Sequence, residues 1–282
     1  MSLETEPMGT AGPIRLAEAH LRADNESGLF FVFNSDVICE YPLQQLVQYH
    51  KSHGKQGTIV VTKVEDPTRY GVVVAQENGQ IDRFVEKPQT FVSNKINAGL
   101  YLFSLDMIDR IENRPTSIER EIFPVMAAEA QLHQMELPGY WMDIGQPGDY
   151  LVGQNLFIKS QVEKGVALAP GVGGSSVIIH ESAEVDPSAQ LGPNVVIGAG
   201  CKIGPGVRLR NTAILAETKV NGFSFISDCI IGRQNTIGSW VRMTDVSCTG
   251  DDVQVKDESC ITAVKILPHK AVTGVHANII IM

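Results

Sequence analysis

The chain has 282 residues, of which 43% are hydrophobic and 20% charged, a composition ordinary for a globular protein of one large or two smaller domains. Its net charge of −9 argues against nucleic acid or an anionic membrane as a partner. No apolar run approaches the roughly 20 residues of a membrane-spanning helix, and the acidic start "MSLETEPMGT" does not have the apolar core of a secretory signal.

Helical and strand-like patterns alternate in the first half of the chain. The helical patterns cover residues 11–23, 41–54 and 105–114, and Gly54 is expected to end the second helix. The strand-like runs cover residues 29–34, 57–64, 70–76, 83–87 and 98–105. Near-continuous apolar strands separated by helices predict a largely parallel sheet covered on both faces. The pair Asn78-Gly79 predicts a hairpin turn between two of the strands.

A carboxylate follows the first of these strands. In "LFFVFNSDVICEYP", residues 29–42, five apolar residues stop at Asn34, Ser35 and Asp36. Ligands of open parallel sheets bind beyond the carboxyl ends of the strands, where Asp36 is expected to lie. Alternatively, Ser35 and Asp36 only form a turn before a helix that begins at Pro42. This stretch alone leaves both interpretations open.

A second carboxylate occurs in a similar setting. Asp143 in "GYWMDIGQP", residues 139–147, stands among large apolar residues and just before a glycine-containing turn. Two aspartates at strand ends can hold one Mg²⁺, which prefers few carboxylates together with substrate phosphate oxygens. Alternatively, Asp143 only caps the following helix.

Two further stretches offer polar groups for a phosphorylated substrate. Lys87 in "RFVEKPQ" follows a strand and precedes Pro88, which makes it a candidate point charge for a phosphate or else a solvated turn residue. Asn97 in "NKINAGLYLF" could bind sugar hydroxyls or only form a turn. Gly99 is small enough to let a ligand approach the backbone.

The second half of the chain repeats with a period of six. Aliphatic residues recur at Ile179, Val185, Leu191, Ile197, Ile203, Leu209 and Leu215. This period predicts a left-handed parallel β-helix of hexapeptide repeats, with the aliphatic side chains pointing inward. The repeat is expected to break at Asn221 and to resume with Ile231 and Ile237. Residues 1–164 are expected to form the first domain, 165–176 a linker and 177–282 the β-helix.

The cysteines and histidines suggest no further chemistry. The number of cysteines is odd and none form a C-x-x-C motif, so a reducing, cytoplasmic compartment is expected. His50 and His53 could bind a metal, but a solvated helix face is the favoured interpretation. His180 and His269 could indicate a hexapeptide-repeat acyltransferase, which would leave the first half of the chain unexplained.

Six short motifs in this order carry a resemblance to a known family. They are "EPMGTAGP", "FNSDV", "FVEKP", "KINAGLY", "WMDIGQP" and "ILPHK". Together they resemble the catalytic, beta-type mannose-1-phosphate guanylyltransferases over nearly the whole chain. The resemblance implies a Rossmann-like nucleotidyltransferase domain in front of the β-helix, and an enzyme that makes GDP-mannose and pyrophosphate from GTP and mannose 1-phosphate.

The resemblance also implies roles for individual residues. Asp36 and Asp143 would bind the catalytic Mg²⁺, and Lys87 would hold the sugar phosphate. The residues implied in substrate binding are Asn34, Glu86, Asn97 and Gly99 for the sugar side, and Gly9, Thr10, Ala11 and Gly12 for the guanine nucleotide. The β-helix would mediate a homo-oligomer or a hetero-oligomer with a regulatory paralogue.

One departure from the family pattern allows more than one explanation. The family opens with a first strand and a loop of the form G-G-x-G-T-R-L-x-P, and no such segment is found in this sequence. We therefore expect an N-terminally incomplete catalytic domain with an unpaired sheet edge. A truncated sequence, a noncatalytic regulatory or assembly subunit, and a split protein would each explain it. A binding or scaffold role for the β-helix and transfer of a different nucleotide also stay open.

Overall fold

The structure is a computed structural model and describes residues 4–282. Contacts divide the chain into two units, the first ending at Trp141 and the second running from Met142 to Met282. The limits drawn from the sequence, residues 1–164, 165–176 and 177–282, stay a prediction. Within the described residues, no helix is both long and apolar enough to cross a membrane.

The first unit combines a mixed sheet with short helices. Its strands are β1 (Leu29–Phe33), β2 (Val37–Cys39), β3 (Gly57–Lys63), β4 (Gly71–Ala75), β5 (Ile81–Glu86), β6 (Lys95–Ser104) and β7 (Leu132–Glu136). The strand β8 (Trp141–Asp143) contains the division between the units. The helices are α1 (Gly12–Leu16), α2 (Glu18–Arg22), α3 (Leu43–His53) and α4 (Phe123–Ala128), with a 3₁₀ helix at Leu105–Arg110 and a π-helical turn at Ile118–Ile122.

The sheet of the first unit is mostly antiparallel. Its order is β5-β4-β6-β3-β7, and β1 pairs with β6. The strands β3 and β7 run parallel, whereas β1–β6, β3–β6, β4–β5 and β4–β6 are antiparallel. The expectation of a largely parallel sheet was therefore wrong. The physical reason is that β4 and β5 form a hairpin that lies between β3 and β6 along the chain, so no crossover helix separates these strands.

Both faces of this sheet are buried, as the continuous apolar runs predicted. Along β6, Tyr101 and Phe103 belong to one apolar cluster with Phe30 and Phe123. The alternate residues Leu100 and Leu102 belong to a second cluster with Leu46 of α3. The side chains of a strand alternate between faces, so one strand supplies both clusters.

Two local predictions are confirmed. At the β4–β5 hairpin the Gln76 amide donates to the Gln80 carbonyl at 2.9 Å, and Gly79 has a φ of +87°. Helix α3 ends at Gly54, which adopts the left-handed conformation with a φ of +61°. A residue without Cβ meets both requirements at little steric cost.

The second unit is a parallel β-solenoid preceded by helix α5 (Pro147–Glu163). One face is a six-stranded parallel sheet of Glu184–Val185, Lys202–Ile203, Lys219–Val220, Thr236–Ile237, Gln254–Val255 and Ala271–Val272. The other two faces comprise Ala169–Pro170, Ser176–Ile179, Gln190–Leu191, Val195–Ile197, Arg208–Ile214, Phe225–Ile231, Arg242–Thr244, Ser247–Thr249, Cys260–Thr262, Lys265–Ile266, Val275–Ala277 and Ile280–Ile281. The aliphatic side chains of successive coils form one continuous core.

The register of the solenoid differs from the predicted one. Ile214, not Leu215, points into the core and pairs with Ile197, 17 residues earlier. Beyond Asn221 the stacking continues without a break, because Ile203 pairs with Val220 and Val220 with Ile237. The predicted inward position at Leu215 and the predicted break at Asn221 were therefore wrong. A coil can have 17 instead of 18 residues when one corner has one residue fewer.

Candidate active site

Asn34 and Gly99 are in direct contact beyond the end of β1. The backbone amide of Asn34 donates to the Gly99 carbonyl at 2.8 Å. Gly99 has a φ of +75°, and a Cβ built on it would lie 2.8 Å from Nδ2 and 3.0 Å from Cβ of Asn34. The glycine is thus needed for the close approach of Asn34, whereas the sequence suggested a close approach by a ligand.

Asn97 is fixed on both sides of its amide group. Its Oδ1 accepts from the Gly99 amide at 3.0 Å, and its Nδ2 donates to the Tyr101 hydroxyl at 2.7 Å. Asn97 is half-buried and Tyr101 is buried. These two bonds hold the amide in one orientation, with its second Nδ2 proton left for a ligand.

The charges of three carboxylates act on the Tyr101 hydroxyl. Burial raises the pKa of Tyr101, the hydrogen bond from Asn97 opposes this shift, and the charges of Glu119, Glu86 and Asp36 raise the pKa further. The structure therefore brings predicted residues Asp36, Glu86 and Asn97 to one region of the first unit. Tyr101 and Glu119 were missed because each is ordinary in its sequence context.

Lys87 stands in a strained backbone conformation next to Glu86. Its φ is +46°, in the region that residues other than glycine seldom adopt, and its amide donates to the Tyr70 carbonyl at 3.1 Å. Its Nζ lies 3.8 Å from Glu86 Oε1, and its side chain is 61% exposed against 20% for Glu86. Burial raises the pKa of Glu86, while the Lys87 charge acts against that shift. Backbone strain of this kind is often found at functional sites.

The segment "GTAG" packs onto the loop that precedes the π-helical turn. The Ala11 amide donates to the Thr116 carbonyl at 2.9 Å, and a Cβ on Gly9 would lie 2.5 Å from that oxygen. The Thr10 hydroxyl donates to Glu119 Oε2 at 2.6 Å and accepts from the Ile118 amide at 2.9 Å. Packing within the chain therefore explains the conformation of this segment, and its contact with a nucleotide stays a prediction.

Gly12 serves the same close packing. A Cβ on Gly12 would lie 2.5 Å from the Met8 Cβ. The bulk of any other side chain would therefore separate the start of α1 from the preceding residues.

The two aspartates predicted to bind metal differ in their surroundings. Asp36 is exposed and lies in the turn between β1 and β2, and no group within residues 4–282 hydrogen-bonds to its carboxylate. Asp143, in the second unit, accepts from the Gly145 amide at 3.0 Å through Oδ1. The N-cap of α5 is Gln146, so the interpretation of Asp143 as the helix cap was wrong. Within the described part of the chain, no group of three or more His, Cys, Asp or Glu could hold a metal.

The histidines of α3 contradict the expectation of a solvated helix face. His50 is 1% exposed, and its Nδ1 lies 2.8 Å from the Thr58 hydroxyl. His53 Nε2 lies 2.8 Å from the same hydroxyl, and its ring stacks on His133 at a centroid distance of 4.2 Å. The last turn of α3 packs on β3 and β7, and this packing buries the ring of His50.

Comparison with known proteins identifies the family. A family model described as nucleotidyl transferase matches residues 1–160, and one described as the GMPPB C-terminal domain matches residues 174–281. A mannose-1-phosphate guanyltransferase of Neurospora crassa is 52% identical over 96% of this chain and 76% of its own length. The mannose-1-phosphate guanylyltransferase catalytic subunits beta of Drosophila melanogaster and Danio rerio are each 52% identical over 97% of this chain, and over 74% and 76% of their own lengths. The motifs, the fold and these matches together show that the chain belongs to the mannose-1-phosphate guanylyltransferases of the nucleotidyl transferase family.

Proposed function

We propose that this protein transfers a guanylyl group from GTP to mannose 1-phosphate, forming GDP-mannose and pyrophosphate. The observation that carries the proposal is 52% identity to guanylyltransferases over 96–97% of the chain. The motifs that contain the candidate site lie within the matched residues 1–160. The same identity disfavours a purely regulatory chain, a scaffold role and an acyltransferase.

The reaction needs alignment and charge neutralisation rather than a protein nucleophile. A phosphate oxygen of mannose 1-phosphate attacks the α-phosphorus of GTP, a new P–O bond forms, and the bond to the pyrophosphate leaving group breaks. We assign to Lys87 the neutralisation of the sugar phosphate, since its ammonium group is exposed and its backbone is fixed by Tyr70. Both reactants are anions, so holding them together is the main task of the site.

The sugar contacts are assigned to polar groups that keep a donor or acceptor beyond their hydrogen bonds within the chain. Asn97 keeps one Nδ2 proton beyond its bonds to Gly99 and Tyr101, and it can donate this proton to a mannose hydroxyl. Glu86 can accept a hydrogen bond from a sugar hydroxyl. Its pKa is raised because the carboxylate is partly buried, and a sugar bound there would be partly buried as well. Asn34 and Gly99 are assigned to the wall of this site. Gly9, Thr10, Ala11 and Gly12 are assigned to the guanine nucleotide.

The donor set is compatible with Mg²⁺. Asp36 and Asp143 are each assigned as a metal ligand from their own surroundings, since Asp36 has a free carboxylate and Asp143 uses one oxygen for the Gly145 amide. When bound, Mg²⁺ supplies positive charge to the phosphate oxygens of the substrates. Because Mg²⁺ takes several ligands from water and phosphate, a single carboxylate of either kind can be a metal ligand without a larger protein cluster around it.

Product formation with different nucleotides tests the reaction. The protein is incubated with mannose 1-phosphate, Mg²⁺ and each of GTP, ATP, UTP and dTTP, and pyrophosphate release is measured. We expect GTP to give the highest rate. A preference for another nucleotide would overturn the guanylyl assignment, and no release with any nucleotide would favour a noncatalytic subunit.

Variants of Lys87 and Asp143 test the sites, the first by binding and the second by turnover. We expect Lys87→Gln to raise the Kd for mannose 1-phosphate at least tenfold and Asp143→Asn to lower turnover by orders of magnitude at ordinary Mg²⁺ concentrations. Lys159→Gln and Asp149→Asn are the matched controls, since they remove the same charges from α5. Unchanged binding in Lys87→Gln, or a wild-type rate in Asp143→Asn, would refute the respective assignment.

We further propose a cytoplasmic oligomer. All five cysteines are free, which supports a reducing compartment. The last coil exposes Val275, Ile280 and Met282, and such apolar side chains support association with another subunit, either a second copy or a regulatory paralogue. Sedimentation at several protein concentrations, alone and with that paralogue, tests both forms.

A further inference from the structure

A pocket of about 480 Å³ lies in the first unit, away from the candidate active site. Among its lining residues are Leu29 at the start of β1 and Ser104 at the end of β6. Asn97 lies seven residues before Ser104 on the same strand, a separation of about 23 Å at about 3.3 Å per residue. The pocket is therefore at the opposite end of the sheet, and its volume is in the range of small-molecule sites.

Two polar atoms at this pocket have no partner within the described residues. They are His50 Nε2, on a side chain that is 1% exposed, and Ser104 Oγ. Both residues line the pocket. The Nδ1 side of the His50 ring faces Thr58, so Nε2 is the ring nitrogen that has no partner within the described residues. A buried polar atom without a partner is costly, and a ligand that bonds to it would remove that cost.

The hydrogen bonds around Thr58 determine which His50 nitrogen carries the proton. The Lys55 amide donates to His53 Nδ1 at 3.0 Å, so neutral His53 carries its proton on Nε2. His53 Nε2 then donates to the Thr58 hydroxyl, which in turn donates to His50 Nδ1. His50 therefore carries its proton on Nε2. Among the residues that line the pocket, His50 thus has an unpartnered N–H donor, on a ring held in place by hydrogen bonds that link Lys55, His53 and Thr58.

The charges at the pocket favour an anion that also has hydroxyl groups. Lys51 and Lys55 line it, and neither forms an ion pair within residues 4–282. The hydrogen bond with Glu18 is the main cause that raises the pKa of the Arg22 guanidinium, and the charge of Asp106, the carboxylate among the lining residues, adds a smaller effect. The C-terminal end of α3 adds a partial negative charge that is smaller than the two full charges of the lysines.

We propose that this pocket is a second ligand site that binds a phosphorylated sugar. The phosphate binds Lys51 and Lys55, the sugar oxygens accept from His50 Nε2 and Ser104, and a sugar hydroxyl donates to Asp106. The site goes beyond the proposed function, because none of these residues belongs to the candidate active site. A ligand here would act on the reaction only through β1 and β6, the strands that the two sites share.

Titration of the full chain with glucose 6-phosphate tests the proposal. This probe has the required phosphate and hydroxyls, and it is not the proposed substrate. We expect the ¹⁵N resonance of His50 Nε2 to shift during the titration, and the calorimetric Kd to rise at least tenfold in the double variant Lys51→Gln/Lys55→Gln. Ser104→Ala is expected to weaken binding severalfold, and Lys87→Gln is the matched control expected to leave the Kd unchanged.

Several results would overturn the proposal. They are an unchanged Kd in the double lysine variant, loss of binding in Lys87→Gln alone, and no binding at millimolar probe. Inorganic phosphate that binds as tightly as glucose 6-phosphate would refute the sugar contacts. A parallel titration with mannose 1-phosphate in the same variants separates this outcome from a failure of the proposed function, since that ligand is expected to depend on Lys87.

Discussion

Asn34 lies so close to Gly99 that a side chain at residue 99 would collide with it. The Asn34 amide bonds to the Gly99 carbonyl at 2.8 Å, and the Asn34 Cβ lies 3.0 Å from the point where a Gly99 Cβ would be. Asn34 and Asn97 both contact Gly99, so the position of this one residue sets both candidate substrate ligands.

Replacement of Gly99 should therefore affect binding as well as stability. Gly99→Ala places a Cβ against Asn34 at a φ of +75°, and we expect it to cost about 1–3 kcal/mol in the free energy of unfolding. It should also raise the Kd for mannose 1-phosphate. Urea unfolding and calorimetry measure the two effects.

Gly139→Ala is the matched control for this change. Gly139 has a φ of +82°, but its nearest neighbour, Glu40, is 3.7 Å from the added Cβ. We expect this variant to cost about 1 kcal/mol and to bind mannose 1-phosphate normally. Equal losses of affinity in the two variants would contradict the role given to Gly99.

The bond between Asn97 and Tyr101 should be measurable as a coupling energy. Tyr101→Phe removes the acceptor of Asn97 Nδ2 and keeps the packing of the ring. A double-mutant cycle of Tyr101→Phe with Asn97→Ala should give a coupling of about 0.5–1.5 kcal/mol in mannose 1-phosphate binding. Strict additivity of the two changes would show that Tyr101 does not position Asn97.

The histidine cluster should make the first unit sensitive to acid. Burial lowers the pKa of His50 to about 4 and that of His53 to about 3, with the neighbouring His133 as the second cause. The unfolded chain binds these protons near pH 6.5. The two neutral histidines should thus contribute their full share to the free energy of unfolding above pH 6.5. This contribution should decrease as the pH falls toward 4, by up to about 1.4 kcal/mol per pH unit for each histidine.

Urea unfolding at pH 7.5 and 5.5 checks this dependence. We expect His53→Gln to reduce the difference between the two pH values, because the substituted side chain does not titrate. His20→Gln is the control, since His20 is exposed on α2. The same pH dependence in both variants would mean that carboxylates elsewhere cause it.

The register of the solenoid can be tested at two adjacent residues. Ile214 is 1% exposed, whereas Leu215 is only half-buried. We expect Ile214→Ala to cost about 2–5 kcal/mol in the free energy of unfolding, and Leu215→Ala less than about 1.5 kcal/mol. The opposite ranking in thermal or urea unfolding would restore the strict period of six.

The sequence predicted the positions of strands and helices better than it predicted how the strands pair. Five strands and α3 follow from apolar runs and from Gly54, because these signals are local. The direction of pairing was wrong, since an apolar strand buried on both faces reads the same in parallel and antiparallel sheets. The short strands β2, β7 and β8 and helix α4 were missed, because three to six residues carry no reliable periodicity.

In the candidate site, too, residues with a local sequence signal were predicted, and contacts between distant residues were not. Asp36, Lys87 and Asn97 could be found because each interrupts an apolar pattern or adjoins a proline or glycine. The contact of Thr10 with Glu119 joins residues 109 positions apart, and no local signal announces it. For the solenoid, a usable signal existed in Asn194, Asn211, Asp228 and Asp245, which recur every 17 residues with positive φ.

These Asx residues make the solenoid tolerant of changes in chain length. Asn211 donates to Asp228 Oδ1 at 2.6 Å across adjacent coils, at the corner where Leu209 and Ile214 are only five residues apart. An inserted or deleted residue at that corner changes the spacing along the sequence but leaves every inward side chain inward. The same change within β6 would exchange its two faces and move Tyr101 and Leu102 each into the apolar cluster that packs around the other. Insertions and deletions among homologues should therefore accumulate at the solenoid corners and be rare in the sheet that carries the active site.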